Sequence, residues 1–279
     1  MHPLDASLDL QSFGPAAADG GLVFTGRTSS GYRNAIGPFG GWTAAVLLEA
    51  VRRMPEVRGV PLALTTSFIA GIHEGEFEVR VALSRQNRSV GFWRSELWQA
   101  GRMCAQALVT MASIRDTMVL RDARCPDVPP ADAVAVYDNP RDPVPFVGQF
   151  VFKPVSGLLF KQADSMSTRN WIRDAEPRPV DALSLAVLCD TPFPPLWIRL
   201  DGQLPVSTVT YSVYFRGTAA DLADAGSDFV LIDSTSAIAQ GGYVDQFSSV
   251  WSGSGRLLAQ TQQLLWFSDA APKPPRAKD

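Results

Sequence analysis

Between residues 76 and 85 apolar and polar positions alternate, with Phe77, Val79, Val81 and Leu83 on one face and Glu78, Arg80 and Ser84 on the other. A period of two sends successive side chains to opposite sides of a strand, so this segment predicts a half-buried β-strand. Similar runs over 64–70, 90–100 and 103–114 are joined by Gln86-Asn87-Arg88 and Ala100-Gly101-Arg102, and predict a meander of strands. Ahead of them, from Trp42 to Met54, the chain is apolar on nearly every side until Glu49. That pattern predicts a buried helix, entered through Gly40-Gly41 and stopped by Pro55, which has no N–H to continue it.

The same order returns later. A helix over 181–190, closed by Pro192 and Pro194, precedes strands over 206–215, 229–237, 241–251 and 256–267. The best local match between the copies sets Gly101-Arg102-Met103-Cys104-Ala105-Gln106-Ala107 against Gly255-Arg256-Leu257-Leu258-Ala259-Gln260-Thr261. A helix followed by a run of strands, used twice, predicts an α+β fold in which two long helices are wrapped by one extended antiparallel β-sheet.

The organisation expected is an N-terminal unit over 1–114, a linker over 115–149, a second unit over 150–268 and a disordered tail over 269–279. In the first unit 16–21 reads as a loop and 22–24 as a short strand. Prolines at 126, 129, 130, 140, 143 and 145 mark the linker. The second unit opens with a strand near 150–160 and a loop through Arg169-Asn170-Trp171-Ile172-Arg173.

Composition narrows the function. A net charge of −3 and a pI near 5.5 argue against nucleic acid, whose partners carry a basic stripe. The start of the chain lacks the pattern of a signal peptide and no stretch is long and apolar enough to span a bilayer, so a cytoplasmic location with no membrane partner is expected. Cys104, Cys125 and Cys189 lack ligand spacing and read as small hydrophobes. There are two histidines: His2, at a terminus expected to be mobile, and His73, in a Gly-flanked turn. With no G-x-S-x-G elbow and no zinc-type ligand pair, nothing points to a nucleophile triad, a metal or a cofactor.

Two features carry chemistry. The loop from Tyr32 through Asn34 to Gly40-Gly41 opens a helix whose N–H groups and partial positive charge can polarise a carbonyl, with Asn34 as a further amide donor or a holder of the loop. On the last strand Ala259, Thr261 and Gln263 share one face while Leu258, Leu264 and Trp266 take the other. That small polar row is either the floor of a cleft or a solvent-facing row.

The chain resembles the TesB-like acyl-CoA thioesterases. The resemblance rests on Phe39-Gly40-Gly41 before an Ala-rich helix, Arg85-x-x-Arg88-Ser89, Asp190-Thr191-Pro192, Trp197-Ile198-Arg199, Ser234-Thr235-Ser236-Ala237 and Leu258 through Gln263, in that order and spacing. It implies a double hotdog fold, an acyl-CoA substrate, no cofactor and a homo-oligomer. It also implies hydrolysis by a water held by an Asp, a Thr and a Gln; Thr235 and Gln263 match two of these, and Thr210 occupies the position of the Asp. A hydroxyl is no base at neutral pH, so the chain is either a slower enzyme or one whose carboxylate comes from elsewhere, with Asp190, Asp181, Asp233 and Asp245 as the candidates. The alternative is a non-hydrolytic acyl-CoA-binding hotdog protein with a degenerate site. A hotdog hydratase would need an Asp-His pair, which two histidines make hard to supply. Arg85, Arg88, Arg102, Arg169, Arg173 and Arg216 are the candidates for the CoA phosphates.

Overall fold

The computed structural model describes residues 1–15, 21–137 and 144–269. The first half contains α1 (Pro3–Ser7), β1 (Gln11–Pro15), β2 (Leu22–Arg27), α2 (Gly40–Arg52), β3 (Val60–Phe68), β4 (Glu76–Gln86), β5 (Val90–Gln99) and β6 (Arg102–Ala112). Two short 3-10 turns, Ala131–Ala133 and Pro145–Gln149, lie in the connection. The second half contains β7 (Phe150–Ser156), β8 (Thr168–Asp174), α3 (Ala182–Leu188), α4 (Pro195–Arg199), β9 (Val206–Phe215), α5 (Ala219–Ala225), β10 (Val230–Thr235), β11 (Ala239–Gln240), β12 (Tyr243–Trp251) and β13 (Leu257–Phe267).

All strands join one antiparallel sheet in the order β1-β2-β4-β5-β6-β3-β9-β13-β12-β10-β8-β7, with β11 beside β12. The order mirrors itself about the β3–β9 pair, where Thr65 faces Ser212 and their hydroxyls are 3.1 Å apart. This is the double hotdog that the resemblance implies. Both halves also carry an irregular step at the matching place, between Pro61 and Ala63 on β3 and between Thr208 and Thr210 on β9.

Ten of the 13 residues of α2 are buried, which is why its sequence is apolar all round. Its one acid, Glu49, pairs with Arg52 and Arg53 at 3.0 and 2.8 Å on the outer side. The second helix, α3, has only seven residues, shorter than expected, because it starts at a capping box of Asp181 and Ser184 and ends ahead of Pro192. The two helices pack together, the start of α2 against the end of α3.

The structure departs from the sequence reading in three places. The segment around Arg169–Arg173, expected as a loop, is β8; Ile172 faces the main core and Trp171 an outer cluster, so burial on both sides erases the alternation. Part of the proline-rich connection, residues 125–134, packs on the sheet: Cys125, Val128, Ala131 and Val134 cover Trp171, Leu231 and Trp251, and the Trp171 indole donates to Pro129 O at 2.9 Å. The N-terminus is held firmly. Leu4, Leu8 and Leu10 are buried, Nδ1 of His2 accepts from Leu4 N, and Nε2 is therefore the donor to Glu176 O at 2.9 Å. The tail expected over 269–279 falls, from residue 270, outside the described residues, as do 16–20 of the first loop and 138–143 of the connection. Among the described residues no helix is long and apolar enough to cross a membrane.

Candidate active site

A helix leaves the N–H groups of its first turn without partners inside the helix, and an N-cap side chain usually takes one of them. At α2 the N-cap is Phe39, which offers no acceptor. The acceptor comes instead from Asp190, 149 residues away, whose Oδ2 accepts from Gly41 N at 2.6 Å. Asp190 follows the end of α3, where Thr191 donates from Oγ1 to Leu188 O at 2.6 Å and Pro192 prevents another turn. The approach is close enough to require glycine. A Cβ on Gly40 would lie 2.8 Å from Asp190 Oδ2, and one on Gly41 would lie 2.8 Å from Val187 O and 2.9 Å from Asp190 Cβ.

The other oxygen, Oδ1, accepts from Gln263 Nε2 at 2.8 Å, and Gln263 Oε1 accepts from Thr208 Oγ1 at 3.1 Å. An ionised carboxylate only accepts, so this chain settles the orientation of the Gln263 amide. Thr208 reaches it through the bulge on β9. Thr210 stands opposite Leu264, whose row faces outward, and the extra residue Val209 turns Thr208 back to the inner face beside Gln263.

Burial pushes the carboxyl of Asp190 up to about 7, against the opposing pull of the bonds from Gly41 and Gln263; among the described residues no cation is one of the groups acting on it. It borders a cavity of about 740 Å³. The lining is mainly apolar and aromatic, with Phe39, Phe68, Phe146, Phe152, Phe193 and Trp197 among its walls. Gln246 also lines it, opposite Gln263 on the neighbouring strand and only 3% exposed. An apolar cavity with a small group of converging polar atoms is the usual form of a small-molecule site.

Gln263, Asp190, Gly40 and Gly41 therefore meet at one place, and Asn34 lines the same cavity, its Oδ1 held by Ala35 N at 2.7 Å. Asn34 thus holds its loop through the oxygen.

Thr235 and Thr210 do not join them. Thr235 is exposed and sits opposite Phe247, beside a shallow outer hollow of about 330 Å³, because the inner face of β10 belongs to Val230 and Ile232. Thr210 lies on the outward side of the bulge. Of the other acids, Asp181 caps α3, Asp233 pairs with Arg169 at 2.8 Å, and Asp245 accepts from Ala237 N and Ile238 N at 2.9 Å. Arg102 donates to Gly71 O at the cavity rim at 3.4 Å; Arg85, Arg88 and Arg216 are exposed, and Arg173 stacks over Phe229. Thr208 and Gln246 escaped the sequence reading. Alternation would have flagged Gln246 as inward beside Val244, but no local signal announces the bulge that turns Thr208.

A family profile described as the acyl-CoA thioesterase N-terminal domain matches residues 28–112, and one described as the C-terminal domain matches 123–267. A conserved protein of unknown function with a hot dog fold from Alicyclobacillus acidocaldarius is 32% identical, with 97% of this chain and 100% of that chain covered and a TM-score of 0.91. The tesB protein of Mycobacterium avium subs paratuberculosis is 19% identical over 95% of this chain and 98% of its own, with a TM-score of 0.76. An acyl-CoA thioesterase II, TesB2, from Mycobacterium marinum gives 19%, 95%, 98% and 0.72. No curated protein matches the chain.

Proposed function

The chain belongs to the acyl-CoA thioesterase family, and on that premise we propose that it hydrolyses acyl-CoA thioesters to the free acid and CoA, with Asp190 as the general base. The carrying observation is the carboxylate of Asp190, set in the cavity wall between Gly41 N–H and the Gln263 amide. The acyl group occupies the apolar cavity with its thioester carbonyl at the start of α2. Asp190 takes a proton from a water as its oxygen attacks the carbonyl carbon. The negative charge that develops on the carbonyl oxygen is stabilised by the N-terminal end of the helix. Collapse of the intermediate breaks the C–S bond, and the proton passes from Asp190 to the departing thiolate. Gln263, held by Thr208, fixes the carboxylate and offers its second N–H to the water.

A base is most useful when its pKa lies near the working pH, and a carboxyl raised to about 7 meets that condition. The reading of a degenerate, binding-only site drew on Thr210 in the acid's place; with Asp190 available, that argument has no carboxylate left to miss. Release of CoA thiol from a chain-length panel of acyl-CoAs tests the proposal. Turnover by the parent protein that falls by ~10²-fold or more in Asp190→Asn, with acyl-CoA still bound, is the expected result. Full turnover in that variant would assign the base elsewhere, and binding without turnover in the parent would restore the binding-protein reading.

A further inference from the structure

Gln246 plays no part in the chemistry above, yet it is the other nearly buried glutamine on the cavity wall. Its Nε2 donates to Phe193 O at 3.0 Å. A backbone carbonyl can only accept, so the nitrogen must face Phe193 and Oε1 must point the other way. Among the described residues nothing donates to that oxygen. The result is a rigid hydrogen-bond acceptor, locked by its own amide bond, in a cavity whose neighbouring walls include Phe152, Phe193 and Leu265.

We propose that Gln246 is the specificity-determining residue of the acyl pocket, and that it selects acyl groups carrying a hydroxyl a short distance from the thioester. The inference rests on the acyl-CoA reading of the cavity. An unsubstituted chain lying across Gln246 would strip water from Oε1 and return nothing, whereas a hydroxyl donates to it. Sites built to bond a substrate hydroxyl discriminate strongly against analogues that lack it. Position follows from the register. Gln246 is the cross-strand partner of Gln263, and neighbouring strands lie about 4.8 Å apart. With the reacting carbonyl at Gln263 and Asp190, a donor one strand further on belongs to the third or fourth carbon of the acyl group.

The test compares a saturated acyl-CoA with its 3-hydroxy and 4-hydroxy counterparts of equal length, in the parent protein and in Gln246→Met, which keeps the length of the side chain and removes the acceptor. The expected ratio of kcat/KM, best hydroxylated over unsubstituted, is about tenfold or more in the parent and close to one in the variant. A parent ratio at or below one overturns the inference without reference to any variant, as does a ratio that Gln246→Met leaves in place. If the parent hydrolyses none of these thioesters, the hydrolase reading fails separately, and the same ratios taken from calorimetric dissociation constants decide the role of Gln246. Absence of both turnover and binding sinks both.

Discussion

The packed helices α2 and α3 create two matching niches, one at each end of the pair, and the two are furnished in opposite ways. At the start of α3, Asp181 caps its own helix by accepting from Ser184 N at 2.9 Å, and Arg178 bridges it to Asp5 at 2.9 and 2.8 Å. The end of α2 at that niche carries Arg53, which donates to Leu8 O and Leu10 O, so the N-terminal segment lies across it. At the start of α2, among the described residues, there is neither a side-chain self-cap nor an ion pair, and two glycines meet a carboxylate borrowed from the other helix. Where β9 offers Thr208 beside the bulge, the matching step on β3 has Pro61, buried and without a hydroxyl.

The two acids titrate accordingly. Burial raises both, but the bonds from Arg178 and Ser184 bring Asp181 below its ordinary value, while Asp190 stays at about 7. One niche holds its acid in a cap and an ion pair, and the other holds an acid whose two hydrogen bonds do not offset its burial, the feature that the proposed chemistry would use; functional sites are the usual place for a fold to break its local rules.

The sharpest way to break this contrast is Asp190→Asn. Beyond the expected ~10²- to 10⁴-fold loss of thioester hydrolysis, stability should move the other way. The folded carboxyl titrates at about 7 against an ordinary 3.8, so the fold prefers the protonated acid. That advantage is complete below about pH 4 and is lost as pH rises through 7, a change on the order of 4 kcal/mol. The Asn variant does not titrate, so denaturant midpoints should show its stability relative to the parent rising between pH 4 and 7. Equal pH profiles for the two proteins would mean Asp190 is not desolvated. Over the same range the kcat/KM of the parent should climb and level off above about 7.

Gly41→Ala comes next. Its Cβ would collide with Val187 O and Asp190 Cβ, so the helix ends must part, with a predicted cost of ~1–3 kcal/mol and a tenfold or larger fall in kcat. A variant with unchanged turnover and melting temperature would show that the niche tolerates a methyl.

A smaller effect is expected from Thr208→Val, which frees the Gln263 amide to turn: roughly tenfold in kcat, little in KM, measured by steady-state thiol release. Smallest for activity is Asp181→Ala. Loss of the cap should cost about 1–2 kcal/mol of stability while kcat/KM stays within about twofold, and a large activity loss there would erase the distinction between the niches. Because the carboxyl of Asp181 is depressed, its contribution to stability is present above about pH 4 and lost as pH falls further.

Much of the fold was legible because it is written in local periodicity. The apolar run after Gly40-Gly41 and its stop at Pro55 give α2, and alternation gives β4 and the inward row Ala259, Thr261 and Gln263 on β13. Local patterns could not reveal β8, whose two faces are both covered, nor the part of the site that depends on distance. Asp190 was one of four acids until Gly41 was seen to lie against it. Thr235 matched a motif, but on a strand whose outer face it occupies. Thr208 became a site residue only through the bulge at Val209, a one-residue slip that reverses every facing assignment beyond it.

The seam between β3 and β9, where Thr65 meets Ser212, has a consequence for how such a molecule diverges. In a symmetric dimer each residue appears twice, and every substitution alters both equivalent positions at once. Here the mirror partners are separate codons of one reading frame. Pro61 can change without Thr208, and Met54, which follows the end of α2 as Asp190 follows the end of α3, can change without Asp190, so selection for a working pocket and selection for a sealed one act on separate positions of the same gene.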